Sequence, residues 1–208
     1  PALKPLTAST LMKIKTARFA MSAPDLAGCP PPQMPEFAFI GRSNVGKSSL
    51  INSLCNQKAL AKVSGKPGHT RLINFYVVNE KWALIDLPGY GYAKAAKSER
   101  FRFNDFVADY LEQREGLTHV FVLIDSRLKP QRIDIDFVTW LVEVGRPFSL
   151  VFTKSDKVKK GQLSANKELF LEALAEYVDG VPPVWVTSAK AGDGRLDVLR
   201  SVGEMVAS

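Results

Sequence analysis

Cysteine and histidine are scarce: the 208 residues hold two of each, Cys29, Cys55, His69 and His119. The cysteines lack metal-ligand spacing, and Cys55 falls where a small buried thiol is the plain reading. That excludes a disulfide-stapled scaffold, and a reduced, cytoplasmic setting is expected. His119 heads an apolar run and reads as structural, while His69 lies in a polar loop, so no histidine cluster offers a metal site. Neither a catalytic triad nor a paired-carboxylate site shows. No apolar run approaches the ~20 residues needed to span a bilayer, and no charged-then-apolar leader opens the chain. No internal repeat shows at any useful period.

What is present is ordinary in bulk and uneven in distribution. Hydrophobic content of 46% and charged content of 24% suit a globular protein, and 22.9 kDa suits one domain with a proper core. The net charge is +7. Between residues 41 and 104, 11 Lys and Arg stand against 3 Asp and Glu, so this stretch alone carries more than the whole excess. A polyanionic partner is the functional reading of that stretch, and a solvated basic surface is the bland one.

The basic stretch opens with Gly41-Arg42-Ser43-Asn44-Val45-Gly46-Lys47-Ser48, which fits G-x-x-x-x-G-K-[ST]. In that pattern glycines let backbone N–H groups close around phosphate oxygens. Lys47 would reach the β- and γ-phosphates, and the Ser48 hydroxyl would sit on Mg²⁺. Residues 36–40 read as a buried strand and residues 49–55 as the helix whose N-terminus faces the phosphates. A chance Gly-rich turn before a helix is the alternative, and the length of the motif in this context weighs against it.

The rest of the chain alternates as an α/β domain should. Strands are predicted at 72–78, 82–86, 119–125, 148–153 and 184–187, and helices at 98–115, 132–144, 163–178 and 193–206. Residues 56–71 form a long loop of the length expected of a functional element. Residues 1–35 read as an extension packing on the core, with a candidate edge strand at 13–21 and a stiff proline connector at 30–35. Residues 36–208 form the nucleotide-binding domain.

Three later motifs choose the nucleotide. Asp86-Leu87-Pro88-Gly89 is D-x-x-G at the end of an apolar strand, with Asp86 near Mg²⁺ and the Gly89 N–H placed to sense a γ-phosphate. In Thr153-Lys154-Ser155-Asp156, the Asp156 carboxylate can accept from N1–H and N2–H₂ of guanine, donors adenine lacks, while the Lys154 stem lies along the base. Ser188-Ala189-Lys190 can offer a backbone N–H to guanine O6. Each short motif alone is weak. In this order, each at the carboxyl end of a predicted strand, they specify guanine.

With these residues in place the chain resembles the EngB family (also YihA or YsxC), bacterial GTPases involved in assembling the large ribosomal subunit. The matching residues are Gly41 through Ser49, Pro67-Gly68-His69-Thr70 with Ile73-Asn74-Phe75, and Asp86 through Ala93. Asp125-Ser126-Arg127, Thr153 through Asp156 and Ser188-Ala189 match as well, so the resemblance runs from about Phe19 to the end. It implies a three-layer Ras-like fold: a mostly parallel six-stranded sheet, helices on both faces, and room for an N-terminal edge strand. It implies GTP and GDP as ligands of Gly41–Ser49, Gly68, Thr70, Asp86, Gly89, Thr153, Lys154, Asp156, Ser188 and Ala189. Mg²⁺ would be held by Ser48, Thr70 and Asp86, and Lys47, Thr70 and Gly89 would act at the γ-phosphate. The implied partners are the large subunit or its precursors and ribosomal RNA, in a monomeric protein away from membranes, with a role in cell growth and division. Lys66 and Arg71 depart from the threonine and glutamine usual beside Pro-Gly-x-Thr.

In Ras-type enzymes a glutamine after D-x-x-G orients the attacking water. Tyr90 stands there, and a phenol cannot play that role from the same backbone position, so slow intrinsic hydrolysis is expected. Asn44 occupies the loop position where potassium-stimulated relatives in the wider superfamily hold K⁺ beside the phosphates; the alternative is that Asn44 only caps the loop through its own backbone. A signalling switch with a protein effector and a P-loop kinase or ATPase are the competing functions.

Overall fold

Apolar patterning builds the sheet, and the sheet positions the described loops that carry the site motifs. The computed structural model describes residues 12–62, 72–90 and 105–207. The strands are β1 (Ala17–Ala23), β2 (Glu36–Gly41), β3 (Ile73–Val78), β4 (Trp82–Asp86), β5 (Leu117–Asp125), β6 (Phe148–Thr153) and β7 (Val184–Val186). The helices are α1 (Lys47–Leu54), α2 (Asp105–Gln113), α3 (Arg132–Val144), α4 (Lys160–Leu174) and α5 (Arg195–Ala207). The strands form one sheet in the order β1-β3-β4-β2-β5-β6-β7. The run from β4 through β2 and β5 to β7 is parallel, and β3 runs antiparallel to both β4 and β1.

Every residue of β2 and β4 is buried, the pattern of strands covered on both faces. Successive side chains alternate between two cores. Phe37, Phe39, Leu84, Phe121 and Leu123 pack with Leu50, Ile51 and Leu54 of α1 and Val198, Leu199 and Val202 of α5. Ala38, Ile40, Ile85, Val120 and Val122 pack with residues of α2, α3 and α4. The result is three layers, helix on sheet on helix, as the fold class requires. Cys55 is buried in the first of these cores.

The six strands expected for the core are all present, and the edge strand adds a seventh. It starts later than the alternation at 13–21 suggests. Asn79, in a left-handed backbone, accepts from the Lys15 and Thr16 amides at 2.7 and 3.2 Å, so a side chain takes the donors that a longer strand would pair. Helix α4 starts earlier than residue 163 and stops short of residue 178. It ends because the chain turns at residues 175–180, where Gly180 adopts φ +82°. Helix α2 lies within the expected 98–115, and Phe101 and Phe103 fall outside the described residues.

A buried ion pair locks the end of α2 to the sheet. Arg114 reaches Glu36 through Nε at 2.8 Å and Nη2 at 2.5 Å, and the Tyr110 hydroxyl donates to the same carboxylate at 2.6 Å. The second guanidinium nitrogen also reaches the Pro30 carbonyl at 2.8 Å, so the proline connector is fastened there too. Among the described residues no helix is long and apolar enough to cross a membrane.

Candidate guanine-nucleotide site

The loops at the carboxyl ends of β2, β4, β6 and β7 converge on one end of the sheet. Between β2 and α1, Asn44 has φ +65° and Gly46 has φ +106°, so the chain reverses and runs directly into the helix. At Gly46 a Cβ would strain the backbone, which is why glycine is required there. Among the described residues no side chain caps the start of α1, and its first turn carries no carboxylate. Its leading N–H groups and the positive end of its dipole are left for an anion. Ser48 and Ser49 lie half-buried in that first turn.

Lys47 forms an ion pair with Asp86, both nearly enclosed at 8% and 3% exposed. The amide of Asn74 reaches the other carboxylate oxygen at 3.4 Å. Gly89 lies flat on the phosphate loop: a Cβ there would come within 2.8 Å of the Gly41 carbonyl and 3.1 Å of the Ser43 nitrogen. The Tyr90 N–H then donates to the Gly41 carbonyl at 3.3 Å, and Tyr90 bridges Arg42.

Tyr90 points inward. Its hydroxyl donates to Asp134 of α3 at 2.8 Å, and its ring stacks on Phe137 with centroids 4.5 Å apart. Burial, then the Asp134 charge, pushes the phenol well above its usual pKa. Burial pushes the Asp134 carboxyl up to about 6, against the Tyr90 hydrogen bond and the Arg42 charge, which pull it down. Arg42 itself turns toward α3, reaching Gln131 at 3.3 Å.

The base-side motif is fastened to the phosphate loop. Thr153 is buried, and its hydroxyl donates to the Val45 carbonyl at 2.6 Å. The Lys154 ammonium donates to the Asn44 carbonyl at 2.5 Å and to Asp125 at 2.8 Å. Asp156 is exposed and accepts from the Ser188 hydroxyl at 2.7 Å, while Ser188 accepts from the Ala191 N–H at 3.0 Å. Ala189 follows Ser188 in that loop. Gly68 and Thr70 lie outside the described residues, as do Lys66, Arg71, Lys94, Lys97, Arg100 and Arg102.

The donor set suits Mg²⁺. A serine hydroxyl and a carboxylate are the hard oxygens that this ion takes one or two at a time, and Asp86 is held by a cation that a phosphate could draw away. One residue escaped sequence reasoning, and another, Asp125, was matched to the family pattern without being given a role. Asp125 ends an apolar strand just as Asp86 does, and that shared position was the available signal. Asp134 gave none, because nothing local ties it to Tyr90.

Residues 36–154 match the family described as 50S ribosome-binding GTPase. Fold and match together define a Ras-like GTPase domain. The chain is 47% identical over 191 residues to the probable GTP-binding protein EngB of Bacteroides fragilis, covering 92% of this chain and 95% of that one. To the same protein of Christiangramia forsetii it is 50% identical over 188 residues, 90% of this chain and 95% of that one. The chain belongs to the EngB family of GTP-binding proteins. Among solved structures, a probable GTP-binding protein EngB superposes with a TM-score of 0.64 at 23% identity, over 83% of this chain and 98% of that one. A variant of Aquifex aeolicus Era bound to GDP and aluminium fluoride gives a TM-score of 0.63 at 21% identity, over 83% of this chain and 56% of that one. These two likenesses speak for the fold.

Proposed function

We propose that the chain hydrolyses GTP slowly and acts in the cytoplasm, as a monomer, as a nucleotide-gated switch in assembly of the large ribosomal subunit, and so in cell growth and division. Residues 36–208 serve as the GTPase domain and residues 1–35 as an extension packed on it. The observation that carries the reading is the convergence of the phosphate loop, Asp86–Gly89, Thr153–Asp156 and Ser188–Ala189 at one end of the sheet.

In this reading the loop amides of residues 41–46 and the first turn of α1 hold the phosphates. Lys47 exchanges Asp86 for phosphate oxygens. Asp156 and the Ala189 N–H read the guanine edge, and the Lys154 stem lies along its face. Ser48, Asp86 and Thr70 would hold Mg²⁺, which when bound neutralises charge on the β- and γ-phosphate oxygens. The Tyr90 phenol is committed to Asp134, so no side chain directly after D-x-x-G orients water. Catalysis then rests on the amides and Lys47, which accounts for slow turnover.

The output follows from order and charge. With GTP bound, the segments carrying Thr70 and Gly89 are held to the γ-phosphate; on hydrolysis they let go. The cations of residues 41–104 would then meet ribosomal RNA in one geometry only while GTP is present. Co-sedimentation with large-subunit precursors, in a non-hydrolysable GTP analogue and in GDP across a salt series, tests this. Association should require the GTP analogue and weaken with salt, since each phosphate contact releases counterions. Reversing Lys94, Lys97 and Arg100 to Glu should cut it with GTP affinity nearly unchanged. Association equal in the two nucleotides, or insensitive to salt, overturns the reading and favours a protein effector.

A further inference from the structure

We propose that Asp125 is a positioning residue for the base site: it holds the Lys154 ammonium so that the lysine stem is set in place before nucleotide arrives. The inference rests on the reading of Lys154 as one wall of the base pocket.

Strand register creates the contact. Asp125 is the last residue of β5 and pairs with Thr153, the last residue of β6, so the next residue along β6 emerges beside the carboxylate. Lys154 then adopts φ +60°, uncommon for a residue with a side chain. Its ammonium is gripped on two sides, by the Asn44 carbonyl and by Asp125 Oδ2 at 2.8 Å, and its side chain is 19% exposed. A lysine left free in water samples many rotamers, and that freedom must be lost when a base packs against its stem. Fixing it in advance removes the loss from the binding step.

Arg127 braces the carboxylate for this task. Its Nε and Nη2 donate to Asp125 Oδ1 and Oδ2 at 2.8 and 2.7 Å, and its backbone N–H reaches Oδ1 at 3.1 Å. The fork fixes the carboxylate plane and leaves Oδ2 room for the ammonium. Burial alone would raise the Asp125 carboxyl, but the hydrogen bonds from Arg127 and Lys154 outweigh it and hold the group down at about 2. The group is therefore ionised at any working pH. Because the Arg127 side chain is 43% exposed, it acts as the outer brace while Lys154 is the inner cargo.

A stem that packs on a base face should serve GTP and GDP alike, and should be indifferent to what the base edge presents. That separates Asp125 from Asp156. The test is a double-mutant cycle on release of fluorescent GDP and GTP analogues, with melting temperatures measured alongside. Asp125→Asn keeps the shape and loses the charge, and should speed release of both nucleotides about tenfold. Lys154→Ala should speed it at least as much, and the double variant no further than Lys154→Ala alone. Arg127→Ala should have a smaller effect, about threefold, because the second grip on the carboxylate remains. In an Asp156→Asn background that takes xanthosine diphosphate, Asp125→Asn should again cost about tenfold. If Asp125→Asn folds poorly, Asp125→Glu, which keeps the charge, should recover most of the residence time. Unchanged release in Asp125→Asn, or effects that simply add to those of Lys154→Ala, overturns the inference. Unchanged release in Lys154→Ala would overturn the base-wall reading itself and the inference with it.

Discussion

Lys47 and Asp86 join the first turn of α1 to the last residue of β4 through an ion pair that solvent barely reaches. Removing one member of a buried pair strands the other, at about 3–5 kcal/mol. Lys47→Met in the nucleotide-free protein should therefore lower the melting temperature by about 10 °C, given ~2–4 °C per kcal/mol for a chain of this size. Adding Asp86→Leu should restore most of that loss while GTP still gives no thermal protection. A single variant that melts with the parent would show that the pair contributes nothing.

Base specificity has a sharp readout. Asp156→Asn should lose GTP by at least about a hundredfold and gain xanthosine triphosphate, because a polar site left unpaired rejects its old ligand strongly. Isothermal titration with both nucleotides decides it. GTP affinity retained in the variant would remove Asp156 from the base edge.

The acid side of the stability curve should carry two opposed slopes. Burial pushes buried His119, hydrogen-bonded to Ser149, down to about 4 from 6.5, so below pH 6.5 the unfolded chain binds a proton that the fold refuses. Between pH 7 and 5 that costs about 2 kcal/mol of stability. Asp134 is raised to about 6 from 3.8, so there the folded state binds the proton first. Its contribution rises on acidification by about 1 kcal/mol over the same window. Urea midpoints at pH 7, 6 and 5 should fall less in His119→Gln than in the parent, and more in Asp134→Asn. Parallel curves for all three proteins would show that neither group titrates as its burial demands.

Monovalent cations offer a fourth handle. Asn44 is exposed on a left-handed turn of the phosphate loop, and its backbone carbonyl is already taken by Lys154. A K⁺ ion held by its amide oxygen would neutralise developing charge where the water-orienting glutamine is missing. Turnover should be faster in potassium than in sodium at matched ionic strength, with the difference lost in Asn44→Ala. Equal rates in the two salts leave Asn44 as a loop residue only.

How much of this was legible depended on distance along the chain. The phosphate loop could be read because glycine spacing, strand and helix all lie within about twenty residues, and local order obeys local rules. Helix α3 falls at the expected 132–144 because its apolar period is uninterrupted. The bounds of α4 were not legible, since its apolar pattern runs on past the point where the backbone turns at residues 175–180. Tyr90 was visibly not a glutamine, but its burial against Asp134, 44 residues away, exists only once α3 packs on the sheet. The Asp125–Lys154 contact likewise depends on which strands are neighbours, and strand order is a tertiary fact.

The hydroxyl of Thr153 and the ammonium of Lys154 both close on carbonyls of the phosphate loop, at Val45 and Asn44. In the proposed reading, the wall that would meet the base and the cradle that would meet the phosphates are thus one piece of masonry. A nucleotide bound there would have no loose end from which to peel: disturbing the base wall should slacken the cradle, and the reverse. Release should then be a single kinetic event for the whole molecule. Anything that hastens exchange need push on only one end.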